Sequence, residues 1–327
     1  MRRALGEAQK GLGSTSPNPA VGVVFVRNGK IIARGHHRRA GLAHAEIECL
    51  RNVANVRNGT LYVTLEPCST AGRTPACTDY ILSRAIGRVV IGTTDPNPRH
   101  RGRGIQLLRD AGVDVTVGVL EQECRDLNET FNKWIQIGEP FVIAKCAMSL
   151  DGRFTRADSR WLSSPQSRRH AQNLRAGVDA ILIGAQTLRR DDPRLTVRLR
   201  RKRLQPWRVV LTRSAKLPRG ARIFNDRHRD RTLVYKNKSL RFVLRDLGRR
   251  EITSVLIEGG SDILSQALDQ RLIDRIHIYL SPLFTGGNIL AFSGNGARAT
   301  NESLQLHAIK YKRIKNDVCV TGRVAVE

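Results

Sequence analysis

A chain of 327 residues is long enough for two domains, each able to bury its own core. Its 40% hydrophobic and 26% charged residues are ordinary for a globular protein, and its longest apolar runs, such as 21–26 and 180–185, are too short to span a membrane. The net charge of +27 is unusual, but it is spread along the chain instead of gathered in one tail, which argues for a basic surface over a nucleic-acid-binding arm.

The start, MRRALGEAQKG, lacks the apolar stretch of a secretory signal. Six Cys are too sparse for a disulfide scaffold, so a reducing cytoplasm is the expected compartment. Cys49, Cys124, Cys146 and Cys319 are then expected as small buried residues. In chain order, residues 2–11 predict a helix. Residues 21–26 and 30–37 predict a hairpin turning on Asn28-Gly29, a dipeptide suited to two positive φ angles. Helices are predicted over 45–53, 76–85 and 104–112, and strands over 60–68, 88–96 and 113–119. Strand–helix alternation of this kind predicts an α/β sheet covered by helices. Gly138-Glu139-Pro140 breaks the pattern, which sets a domain boundary between 138 and 139. A second series opens with the strand in 141–153, and strand–helix junctions follow near 178–185 and 254–268; the basic stretch 198–208 reads as a surface connection.

The chemistry-bearing pattern lies in the first domain. His44-Ala45-Glu46 opens a predicted helix, Pro67-Cys68 ends a predicted strand, and Cys77 begins the next helix. One imidazole and two thiolates suit Zn²⁺ and leave a fourth position for water, whose pKa the metal lowers towards neutrality. Glu46, two residues from the His ligand, is placed to move protons without ligating the metal. The set matches the His-x-Glu…Pro-Cys-x-x-Cys signature of zinc nucleobase deaminases, with a wider gap between the two Cys.

The wider gap carries a closer likeness. Pro67-Cys68-Ser69 followed by Gly72-Arg73-Thr74-Pro75-Ala76-Cys77, with Pro17-Asn18-Pro19, Gly35-His36-His37-Arg38-Arg39-Ala40-Gly41 and Asp95-Pro96-Asn97-Pro98, resembles the deaminase half of the bifunctional riboflavin-biosynthesis deaminase–reductase family. The resemblance covers nearly the whole chain. It implies a cytidine-deaminase-like three-layer domain over 1–138 and a dihydrofolate-reductase-like α/β domain over 139–327. It further implies hydrolytic deamination of a phosphoribosylated diaminopyrimidine with Zn²⁺, then NADPH-dependent reduction of the product's ribosyl group. Carried over by position, Asn18, His37, Arg73, Asp95 and Asn97 are implied to line the first pocket. Where the family often has His after Pro-Cys-Ser, this chain has Thr70.

In the second domain, Lys145, Ser149, Asp151 and Gly152 match the family's Lys…Ser-Leu-Asp-Gly pattern, and Ser159-Arg160-Trp161 with Ser163-Ser164-Pro165 matches its Ser-x-Trp…Ser-Pro run. The resemblance implies Ser159, Arg175, Leu195, Arg198 and Glu258 as substrate-binding residues. Ala147, Trp161, Thr187, Asp191, Gly260, Ser261 and Asp262 are implied to meet NADPH. At the family's Asp-Ser after the mid-domain strand this chain has Thr212-Arg213, and Arg213 reads as surface. The resemblance also suggests a homo-oligomer. The competing reading, a nucleic-acid base deaminase with a basic binding domain, draws on the net charge but fits neither the Cys68–Cys77 gap nor the Asp191-Asp192-Pro193 run.

Overall fold

A computed structural model describes residues 1–70, 75–154, 161–199, 204–214, 216–296 and 302–325. The chain divides into two compact units, Met1–Gly138 and Glu139–Glu327.

The first unit runs α1 (Arg2–Ala8), β1 (Gly22–Arg27), β2 (Lys30–His36), α2 (Ala45–Leu50), β3 (Gly59–Leu65), α3 (Cys77–Ser83), β4 (Arg88–Thr93), α4 (Arg103–Asp110), β5 (Asp114–Val117), α5 (Glu121–Leu127) and α6 (Glu129–Ile137). Among the described residues its sheet has the order β2-β1-β3-β4-β5. The β1–β2 hairpin turns on Asn28 and Gly29 at φ +50° and +71°, as the dipeptide predicts. β1 also pairs antiparallel with β3, whereas β3, β4 and β5 are mutually parallel. Parallel pairing sends the carboxyl ends of β3 and β4 to one edge, which places Glu66-Pro67-Cys68 beside Asp95-Pro96-Asn97. Val23, Phe25, Leu61, Val63, Val89 and Ile91 supply the sheet's share of a core closed by Ala45, Leu50, Ile81 and Leu108 from the helices.

The second unit runs β6 (Phe141–Ser149), α7 (Pro165–Ala176), β7 (Ala180–Gly184), α8 (Ala185–Asp191), β8 (Trp207–Thr212), α9 (Arg222–Asn225), β9 (Thr232–Lys236), α10 (Leu240–Arg249), β10 (Ser254–Gly259), α11 (Ser261–Asp269), β11 (Arg275–Ser281), β12 (Leu306–Ile314) and β13 (Asp317–Val324). Its sheet has the order β12-β13-β11-β6-β10-β7-β8-β9; β11 through β9 are parallel, and β13 and β12 close one side antiparallel. Helices cover both faces, and two buried clusters fill the spaces beneath them. The Ser163-Ser164-Pro165 run is a helix start: Ser164 Oγ accepts the Ser167 N–H at 3.2 Å, and Pro165 stands where no N–H is needed. Cys49, Cys124, Cys146 and Cys319 are all buried. No helix among the described residues is long and apolar enough to cross a membrane.

One expectation is corrected. The stretch 198–208 reads as a surface connection, yet its last two residues belong to β8, and Arg208 is 1% exposed. Its guanidinium is neutralised by Asp226 Oδ2 at 2.7 Å and donates to the carbonyls of Ile223 and His228 at 2.7 and 2.6 Å. Burial is tolerable because the charge is paired and both terminal nitrogens donate, while Nε stays buried with no partner among the described residues.

Gly35 decides how closely α2 can lie on β2. A Cβ there would sit 2.5 Å from Ala45 O and from Cys49 N, both backbone atoms that cannot step aside. Gly35→Ala is therefore expected to lower the unfolding free energy by about 3 kcal/mol in urea denaturation. A loss below about 0.5 kcal/mol would show that α2 is not pinned there.

Candidate metal centre and reductase pocket

His44 stands at the N-terminal cap of α2, Cys68 lies just past β3, and Cys77 is the first residue of α3. Their ligand atoms all lie within 4.8 Å of one another. His44 Nδ1 is 3.4 Å from Cys68 Sγ and 3.3 Å from Cys77 Sγ, and the Cys77 N–H donates to Cys68 Sγ at 3.3 Å. The protons record what the site needs. The hydrogen bond from Cys77, aided by His44, draws the Cys68 thiol down to about 4, while the same bond and burial push Cys77 up. One imidazole and two sulfurs around a common point match the donor set of a catalytic zinc site.

Glu46 is 3% exposed, in the first turn of α2. Burial, and next the negative Cys68 sulfur, push its carboxyl above the ordinary value. A carboxyl so placed exchanges a proton more readily near neutrality than an exposed one. His37 packs edge-on against His44, with ring centroids 5.3 Å apart. Its Nδ1 lies 3.1 Å from the Ala43 carbonyl, which can only accept, so Nδ1 carries the proton and Nε2 accepts from Asn18 Nδ2 at 3.2 Å. Burial lowers the His37 pKa and keeps the ring neutral. Asp95 is 9% exposed and pushed up by burial; its Oδ1 accepts the Asn97 N–H at 2.8 Å, which folds the Asp95–Asn97 turn. Asn18, His37, Asp95 and Asn97 therefore belong to the same unit and edge as the metal ligands. Arg73 lies outside the described residues; Thr70 is described and exposed.

In the second unit Glu258 and Gly260 stand at the carboxyl end of β10, with Arg175 and Thr187 bonded to them, at the kind of strand end where open α/β sheets bind ligands. Arg175 and Glu258 form a forked pair, Nε to Oε1 at 2.6 Å and Nη2 to Oε2 at 2.5 Å, and Arg175 Nη1 donates to Thr196 O at 3.2 Å. Burial alone would raise Glu258, but the charge and hydrogen bonds of Arg175, with Lys145 and Arg198 behind, hold its carboxyl below the ordinary value. The backbone N–H of Arg198 donates to Gln172 Oε1 at 3.0 Å. Leu195 is buried in the core at φ +50°, so its side chain packs and only its backbone is left for a ligand. Ser159 lies outside the described residues.

Gly259 and Gly260 sit between β10 and the N-terminus of α11. Gly259 has φ +147°, a Cβ on Gly260 would meet Thr187 Oγ1 at 3.1 Å, and Thr187 Oγ1 accepts the Gly260 N–H at 3.0 Å. This bare backbone at a helix N-terminus fits a diphosphate such as that of NADPH. Ser261 donates to Leu290 O at 2.6 Å, and Asp262 stands in the first turn of α11. Asp191 ends α8. Ala147 lies on β6 opposite Tyr279, and Trp161, half exposed, carries the Arg168 guanidinium 4.9 Å above its ring. Asp151, by accepting the N–H groups of Thr285 and Gly286 at 3.2 and 2.8 Å, ties the neighbouring loop to the end of β6.

Comparison with known proteins agrees with both halves. Residues 1–93 match the model of the cytidine and deoxycytidylate deaminase zinc-binding region, and residues 140–320 match that of the RibD C-terminal domain. The riboflavin biosynthesis protein RibD of Aquifex aeolicus is 37% identical, over 98% of this chain and 96% of its own. The chain belongs to the RibD family. The RibD of Escherichia coli is 35% identical over 98% of this chain and 97% of its own. The solved structure of Acinetobacter baumannii RibD superposes with a TM-score of 0.90 at 32% identity, covering 99% of this chain and 98% of that one. A Thermotoga maritima structure, described as a diaminohydroxyphosphoribosylaminopyrimidine deaminase/5-amino-6-(5-phosphoribosylamino)uracil reductase, gives 0.91 at 35% identity, covering 99% and 97%. The chain thus carries a deaminase zinc-binding region followed by a RibD C-terminal domain, over nearly the full length of its RibD relatives.

One residue of consequence escapes sequence reading. Glu66 is a buried acid next to the ligand stretch, and its partners are backbone N–H groups that no motif reveals.

The parent protein is expected to carry one zinc per chain by elemental analysis. Cys68→Ala should hold less than about one tenth of that after dialysis, because two remaining donors cannot close the site. Undiminished zinc in Cys68→Ala would remove it from the ligand set.

Proposed function

We propose that the chain catalyses two consecutive steps of riboflavin biosynthesis. The first is hydrolytic loss of the 2-amino group of 2,5-diamino-6-(5-phosphoribosylamino)pyrimidin-4(3H)-one, giving 5-amino-6-(5-phosphoribosylamino)uracil. The second is NADPH-dependent reduction of the ribosyl group to ribityl. The observation that carries the reading is the convergence of His44, Cys68 and Cys77 beside buried Glu46. It stands in a chain whose other half matches the RibD C-terminal domain.

Zinc, when bound by His44, Cys68 and Cys77, supplies the positive charge that makes water nucleophilic near neutral pH. Glu46 takes a proton from the water that adds to C2 of the ring and hands it to the departing amino nitrogen, so ammonia leaves and a carbonyl remains. Asn18, with neutral His37 behind it, and the Asp95–Asn97 turn offer amide and carboxyl groups suited to a pyrimidine edge. Arg73 adds a cation suited to the phosphate.

NADPH supplies the hydride for the second step, which ends on C1′ while the ring oxygen takes a proton and the sugar opens. Gly259-Gly260, Thr187 and the start of α11 form the cofactor's diphosphate cradle, with Ala147, Trp161, Asp191, Ser261 and Asp262 around it. Arg175, held in place by Glu258, meets the phosphorylated sugar together with Ser159, Arg198 and the backbone at Leu195.

Glu46→Ala should lower ammonia release from the diamino compound by about 10³-fold while zinc is retained. It should still oxidise NADPH when given the deaminated compound. Ammonia release at the parent rate would show that another group moves the protons. Asp191→Asn is expected to slow NADPH oxidation at least about tenfold and leave ammonia release intact. Equal reduction rates would take Asp191 out of the cofactor site.

A further inference from the structure

Glu66 directly follows β3, two residues before Cys68, and is 4% exposed. Its two oxygens accept four backbone N–H groups. Oε2 takes those of Asp95 and Gly102, each at 3.0 Å, and Oε1 takes those of Gly104 and Ile105 at 2.9 and 3.3 Å. The donors stand 29 to 39 residues further along the chain. Among the described residues no cation pairs with Glu66. A carboxylate has about four acceptor positions, so backbone amides saturate it.

The helix is shaped to receive that charge. Gly102 caps α4 at φ +77°, which turns the first N–H groups of the helix inward. A Cβ on Gly104 would lie 2.2 Å from Pro67 O and 3.3 Å from Glu66 Oε1, so glycine lets the helix end close on the carboxylate. The partial positive charge of a helix N-terminus adds to the attraction. The same carboxylate also holds the Asp95 N–H, and Asp95 Oδ1 in turn holds the Asn97 N–H at 2.8 Å. A chain of charge-assisted bonds therefore runs from the Cys68 end of β3 to the turn that carries Asp95 and Asn97.

We propose that Glu66 is a positioning residue for deamination. It locks the Asp95–Asn97 turn and the start of α4 against the metal-binding end of β3, and so sets the pocket for the pyrimidine without touching it. The proposal rests on the pyrimidine-deaminase reading of the site. Gln is nearly the same shape but presents one acceptor oxygen and one amino group. The amino group would face two N–H donors and push them away.

The test uses the full-length, zinc-loaded protein. Amide hydrogen exchange is followed by mass spectrometry in the parent, in Glu66→Gln, and in Gly104→Ala, which opens the clasp while keeping the carboxylate. Both variants should exchange at least about tenfold faster over residues 94–105. Both should raise the KM for deamination about tenfold or more, with kcat changed less, while zinc content and reduction of the deaminated compound stay at parent levels. Parent-like exchange over 94–105 in Glu66→Gln would overturn the proposal, as would a loss of deamination that only follows loss of zinc. If the parent released no ammonia from the diamino compound, the functional reading would fail, and the exchange data alone would still decide whether Glu66 clasps the turn.

Discussion

The first unit depends on bringing three ligand atoms, borne by three separate segments, within 4.8 Å of one another. Each ligand sits where a regular element begins or ends: the cap of α2, the exit of β3 and the first residue of α3. Two ionised sulfurs and a buried carboxylate so close together would repel one another unless a cation joined them; the hydrogen bond to Cys68 and burial push the Cys77 thiol up, and burial pushes the Glu46 carboxyl up. Metal binding and the final packing of this edge are therefore linked, because ionised thiols and a closed site appear together.

A second economy runs through both units. The chain has 29 acidic residues against 56 Lys and Arg, yet several of the acids serve the backbone. Glu66 gathers four N–H groups, Asp179 holds Thr253 through its N–H and hydroxyl at 2.8 Å each, and Asp317 holds Ser164 N and Ser167 Oγ at 2.8 and 2.6 Å. These bonds join segments far apart in sequence. Exposed pairs such as Arg88–Asp114 and Arg222–Asp192 are solvated on both sides and contribute little to stability. Arg175–Glu258 differs because both side chains are largely shielded; removing one partner leaves the other charged in a poorly solvated place.

Much of the first unit is legible in the sequence because its signals are local. Asn28-Gly29 specifies its turn through two positive φ angles, and the His-x-Glu and Pro-Cys pattern places its ligands at the ends of the predicted helices and strand. What stays hidden depends on distant partners. Arg208 reads as one more surface arginine until Asp226 and two carbonyls close around it. Glu66 is one letter among many acids, and its meaning lies in backbone groups presented by a helix end. The pocket residues of the second unit are legible only through likeness to RibD relatives, since a Gly-Gly pair or an Asp-Asp-Pro run has no unique chemistry until strand ends bring them together.

The most direct measurement strips zinc from the purified protein and follows ammonia and NADPH with each of the two pyrimidines. With the diamino compound, the stripped protein should release no ammonia and oxidise no NADPH, and added zinc should restore both in that order. With the deaminated compound, NADPH oxidation should continue without zinc. Ammonia release at the full rate from the stripped protein, or NADPH oxidation on the diamino compound before any ammonia appears, would contradict a zinc deaminase feeding a reductase in one chain.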